Sequence, residues 1–154
     1  MSVIETNPIA ISVLRRPEDA VEFIAAYIAL GHLGFEYIAK YDEPLLPKYP
    51  AVQIMSGQLQ KDLHGTHTWL LTIRAEIYVF HAKMTESRQT RSRDDLLLAT
   101  KMVDYLERDI TLGDRVIAGW VESEQPGTRP PATTKGAAVI STRLLWSCTN
   151  EARF

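Results

Sequence analysis

A chain of 154 residues, 45% of them hydrophobic and with a formal net charge of −2, has the length and apolar content for a single domain with a buried core. The near-neutral balance excludes a global electrostatic pull toward nucleic acid or an anionic membrane, and leaves partners to local patches. A single cysteine, Cys148, excludes an internal disulfide and fits maturation in a reducing compartment, the cytoplasm.

The opening MSVIETNPIAISVLRRPEDA lacks the basic lead, apolar run and small-residue cleavage site of a secretory signal. No stretch reaches the roughly 18 apolar residues of a membrane span, so a soluble intracellular chain is expected. The first element begins at RRPEDAVEFIAAYIAL, where Pro17 suits the first helical turn and Glu18 and Asp19 complement the helix dipole. Val21, Ile24 and Ile28, with Ala25 between them, recur at helical spacing and form a face to bury against a sheet. Gly31 and Gly34 weaken its far end. FEYIAKYD reads as a second helical piece, after which Pro44, Pro47 and Pro50 forbid regular helix and lead into AVQIMSG as a short strand.

GQLQKDLHGTH, with Gly57 and Gly65, suits a long hairpin tip. It leads into TWLLTIRAEIYVFHA, where Trp69, Leu71, Ile73, Ala75, Ile77 and Val79 alternate with Thr68, Thr72, Arg74 and Glu76 as the two faces of a strand. In SRQTRSRDDLLLATKMVDYLERDI the residues Leu96, Ala99, Val103, Leu106 and Ile110 fall at steps of three and four, with Ser92 or Thr90 as N-cap, and predict an amphipathic helix of about five turns. Leu112–Gly113–Asp114 is a tight stop, with Gly113 supplying the permissive backbone. Two strands follow, RVIAGWVE and AAVISTRLLWSC, the latter with Ala138, Ile140, Leu144 and Trp146 on one face, separated by SEQPGTRPPATTKG as a polar loop. The order helix-strand-strand-helix-strand-strand predicts one α+β domain spanning 1–154, a four-stranded, largely antiparallel sheet packed against helices.

The residues that could carry chemistry are few. His64 and His67 stand three apart, but in a glycine-containing tip with no Asp, Glu or Cys at ligand spacing, which reads as exposed loop; no metal and no cofactor are expected there. His81 and Cys148 could approach across neighbouring strands, yet a lone thiol in a sheet is more often a small core residue than a nucleophile. Gly-x-Ser-x-Gly, P-loop and dinucleotide motifs are absent. Asp94 and Asp95 precede an apolar helical run, where carboxylates favour the helix start. Arg88, Arg91 and Arg93 form a basic cluster at the same helix entrance, either a solvated face or a dock for an acidic partner.

The YPAVQI strand, the glycine-containing hairpin, the long strand, the helix ending LERDITLGDRV and the final strand–loop–strand together resemble the tail terminator or tail-completion proteins of long-tailed bacteriophages. The resemblance runs from about Tyr49 to Ser147 and is strongest in DITLGDRV, Asp109 to Val116, where such proteins often carry a Leu-Gly-Gly turn and Asp114 here replaces the second glycine. It implies a structural virion protein without enzymatic activity or cofactor, assembled in the host cytoplasm and resident in the virion tail. A ring, usually of six copies, would cap the tail tube, end its polymerisation and present a surface to the head connector. The implied partners are further copies of the chain, the tail tube protein and a connector or neck protein, with genome DNA passing through the lumen without specific binding and no membrane. Arg88, Arg91, Arg93, Gln125, Arg129 and Lys135 are the candidate interface residues. A neck or head-completion adaptor, and a small metal-binding enzyme using His64, His67 and His81, remain as alternatives.

Overall fold

The computed structural model describes residues 13–41, 48, 50–80, 88–128 and 141–153, with the side chains of 88–96, 127–128 and 153 outside that description. The elements in chain order are α1 (Pro17–Gly31), β1 (Tyr37–Lys40), β2 (Ala51–Leu63), β3 (Thr68–Phe80), α2 (Arg88–Leu106), β4 (Ala118–Thr128) and β5 (Ser141–Arg153). They build a five-stranded sheet in the order β1-β2-β3-β5-β4. β1 runs parallel to β2 and the other pairs are antiparallel, so the sheet is mixed. The expected four-stranded, largely antiparallel sheet is therefore corrected. The extra strand is Tyr37–Lys40, inside the stretch read as helical: a short apolar run carries no period that separates helix from strand, and pairing with Ala51–Ile54 decides it.

One face of the sheet holds the core. Val52 and Ile54 of β2, Leu71 to Val79 at alternate positions of β3, and Leu144, Trp146 and Cys148 of β5 share that face, and both helices pack on it. The alternation expected for β3 from Trp69 to Val79 is present, with Leu71, Ile73, Ala75, Ile77 and Val79 buried and Trp69 packed at the margin. A smaller cluster of Ala39, Ala51, Tyr78 and Phe80, with Tyr37 and Met55, sits at the β1 end of the other face.

α1 starts at Pro17 as expected, and Asp19 reaches back to accept the amides of Arg15 and Arg16 at 3.1 Å each. Val21, Ile24, Ala25 and Ile28 are buried, together with Ala20 and Phe23. The helix ends on His32 in the left-handed region, φ 48°. α2 begins at Arg88, which places Thr90 and Ser92 inside the helix rather than at its cap.

The buried stripe of α2 is rotated from the one the spacing suggests. Ala99, Met102 and Leu106 are buried, Val103 only half-buried, and Ile110 lies beyond the helix and 52% exposed. The cause is the contact with α1. Phe23, Tyr27 and Tyr105 stack with centroid separations of 5.4 and 4.5 Å, and the Tyr105 hydroxyl donates to the Tyr27 carbonyl at 2.6 Å. Gly31 permits this approach, since a Cβ there would stand 2.5 Å from the Tyr105 ring. Arg115 lies 5.2 Å from the Phe23 centroid and Arg108 5.5 Å from that of Tyr105, so a guanidinium covers each end of the stack.

Met102→Ala is expected to cost about 2–5 kcal/mol, as truncation of a fully buried side chain does, while Leu97→Ala, at a 62% exposed position, stays within about 0.5 kcal/mol. Denaturant midpoints measure both. An unchanged midpoint for Met102→Ala contradicts this placement of α2.

Candidate interaction surface

The connection from α2 into β4 is built on one carboxylate. Asp109 accepts the Thr111 hydroxyl at 2.9 Å, the Thr111 amide at 3.2 Å and the Gly113 amide at 2.9 Å. The Thr111 hydroxyl, followed by the Gly113 amide, holds its carboxyl below the usual range. Around this anchor Leu112, Gly113 and Asp114 take φ values of 52°, 68° and 66°. The left-handed region opposes a branched side chain, but Leu112 is 2% exposed and its burial holds it there. Asp in place of a second glycine fits, because Asp visits that region more readily than most residues.

This turn also closes the start of a sheet edge. β4 is the last strand of the sheet, and its outward amides at Gly119 and Val121 are bonded by the Ile110 carbonyl at 2.7 Å and the Glu107 carboxylate at 2.9 Å. Gly119 also makes room for Trp146, whose ring would stand 2.8 Å from a Cβ there. Asn150 of β5 ties in the chain before α1, donating to the carbonyls of Leu14 at 2.7 Å and Arg115 at 3.1 Å.

On the sheet face opposite the helices, two arginines are held by carboxylates. Glu122 accepts the Ser147 hydroxyl and Arg74 Nε, the latter at 3.1 Å. Glu76 accepts Arg143 Nε at 3.1 Å and the Tyr78 hydroxyl at 2.8 Å. These ion pairs are only about a quarter exposed. The Ser147 hydroxyl, more than Arg74, lowers the Glu122 carboxyl below its ordinary range.

Three strands extend past the helices. Leu71 is the last buried residue of β3 toward its hairpin, and β2 is exposed from Gln60 through Leu63, which is 66% exposed. The turn itself is only 64–67, because the segment expected as a long tip is mostly strand, paired from Leu59 to Leu63 with β3. The loop expected from Ser123 is likewise shorter: Ser123, Glu124, Gln125 and Thr128 pair with β5, across two register shifts.

Of the sequence-predicted interface residues, Gln125 lies exposed on β4, opposite Arg143. Arg88, Arg91 and Arg93 lie on the first turns of α2, and their side chains are outside the described residues, as are Arg129, Lys135 and His81. His64 and His67 are both exposed on the turn, with His64 Nε2 3.6 Å from Glu151. Among the described residues no group of three or more His, Cys, Asp or Glu could hold a metal ion. Cys148 is fully buried, and burial pushes its thiol up to about 12, which keeps it protonated and unreactive. No described helix is long and apolar enough to cross a membrane.

Comparison with known proteins finds no matching family model and no matching curated protein. Glu107, Lys61 and Glu124 are the surface residues that sequence reading overlooks. Nothing in the spacing marks Glu107 as the guard of a strand edge, because its partner is a backbone amide 14 residues on.

A lowered folded-state pKa at Glu122 contributes stability that is present above its unfolded value and is lost as pH falls through the folded one. Glu122→Gln is therefore expected to lower stability at pH 7 by about 1 kcal/mol and to flatten the acid limb of the melting-temperature profile. An acid limb identical to the unsubstituted protein's counts against the Glu122–Ser147–Arg74 arrangement.

Proposed function

We propose that the chain is a structural assembly protein of the tail terminator type, forming a ring that caps a bacteriophage tail tube, ends its growth and offers a surface to the head connector. The observation that carries this reading is the shape of the sheet. Its helix-covered face closes the core, while the β2–β3 hairpin, backed by the end of β5, extends beyond the helices as an arm with an exposed Leu63 at its end. Such an arm has area to offer a neighbouring subunit. The DITLGDRV segment that carries the resemblance supports the reading further, because it is the turn that closes the start of β4.

Ring formation needs two different surfaces of one subunit to meet. The arm on one side of the sheet and the β4 margin on the other supply two such surfaces. The paired charges of the outer face leave its arginines engaged by carboxylates, which suits a wall past which DNA slides without being held.

The test is tail length. A nonsense allele of this gene, viewed by electron microscopy, is expected to give tails of irregular and excessive length, and supply of the protein in trans to restore the normal length. Tails of normal length that fail to join heads would instead favour the neck or head-completion adaptor.

A further inference from the structure

The two outer edges of the sheet are each half closed, and the open halves lie at opposite corners. On one side β1 covers β2 from Ala51 to Ile54, and among the described residues no strand pairs with Met55–Leu63 on that side. On the other side the Ile110 carbonyl and Glu107 carboxylate occupy the amides of Gly119 and Val121, and beyond them, among the described residues, no strand pairs with the outer side of β4. The pairings set the levels. The open half of β2 stands beside Trp69–Glu76 of β3, which in turn faces Leu145–Ala152 of β5, whose Trp146–Thr149 face the closed part of β4. The open part of β4 faces Ser141–Leu145, level with the part of β2 that β1 covers.

We infer that a second copy of this chain continues the sheet, its β4 at Glu124 pairing with β2 near Lys61 in a staggered, head-to-tail contact. Strand polarity allows this without turning the second copy over. β2 and β4 run in opposite directions within one sheet, so copies set side by side in the same orientation bring the two edges together antiparallel. The stagger is forced, because an unshifted copy would meet β1 and the Glu107 guard.

Charge complementarity selects a second copy. Lys61 stands opposite Leu71 and Glu124 opposite Leu144, so both point to the helix-covered side of the sheet. Both are exposed, and neither is engaged by another described side chain. Pairing the edges sets these opposite charges against each other. It also brings Leu63, 66% exposed, toward Ile110, 52% exposed, at the margin of the guarded segment. A two-fold pairing of β4 with itself about Glu124 would instead oppose like charges. Pro126, with no amide to donate, ends the contact and keeps it short. Repetition of one such contact closes into a ring or winds into a filament, according to the rotation between copies. The inference thus deepens the ring reading and names the contact it uses.

The test uses the full chain, with molar mass by light scattering across a concentration series. Lys61→Glu and Glu124→Lys are each expected to weaken self-association at least about ten-fold, and the double exchange to restore it. Both positions are exposed, so unchanged melting temperatures show that the fold is intact. A second arm uses cysteines, the native thiol being buried. Lys61→Cys combined with Glu124→Cys is expected to give a ladder of disulfide-linked multimers, whereas each single variant stays unlinked. Single exchanges that assemble like the unsubstituted protein, or a single cysteine variant that links into dimers, overturn the contact and leave the ring reading standing. A protein that is monomeric at every concentration and on tail tubes overturns both.

Discussion

The segment from Glu107 to Val116 is the constraint on which the rest of the molecule depends. Its Asp109-centred turn takes the chain from α2 to the sheet edge within a few residues, and its left-handed backbone is held by the burial of Leu112. From the same segment Arg115 reaches the Phe23 ring and, through its carbonyl, Asn150 of β5. α1, α2, the start of β4 and the end of β5 are thus fastened at one place. Breaking the turn would release contacts in every layer at once, which gives a run of three positive φ values a structural purpose.

What this fastening does for function follows from sheet physics. An unpaired strand edge is a template for another strand, and a soluble protein must close it or use it. Among the described residues the closing groups, a carboxylate, a main-chain carbonyl and a four-residue parallel strand, cover part of each edge. The parts of β2 and β4 beyond those groups are diagonal and opposite in polarity, which lets the head-to-tail contact proposed above repeat from copy to copy. The Cys148 thiol is buried and protonated, and Arg74 and Arg143 on the outer face are held by carboxylates.

Legibility in the sequence followed the strength of the periodic signal. β3 alternates over thirteen residues and was readable along its whole length, as was the start of α1 at Pro17 with its Val21, Ile24 and Ile28 stripe. β1 was not, because Tyr37–Lys40 is too short to show a period and exists through its pairing with β2. The buried stripe of α2 is rotated from the one the spacing suggests because Tyr105, outside the row of Ala99, Val103 and Leu106, packs against Gly31 and stacks on Tyr27. The polar run Ser123–Thr128 read as loop, since its Pro126 and Gly127 are turn residues; its strand comes from register with β5. For the candidate surface the gap was wider. Gln125 lies exposed on β4, but edges are a property of strand order, and no residue spacing discloses that β1, which covers β2 only over Ala51–Ile54, and β4 are the outer strands.

Hydrogen–deuterium exchange of the full chain, compared between dilute and concentrated solution, reads backbone pairing at the strand edges without any substitution. Assembly through the strand edges is expected to slow exchange in peptides covering 55–63 and 123–128, with no change at Gly119 and Val121, whose amides are already bonded within the subunit. Protection that appears on α1 or α2 while both strand edges exchange as freely as in dilute solution would contradict it.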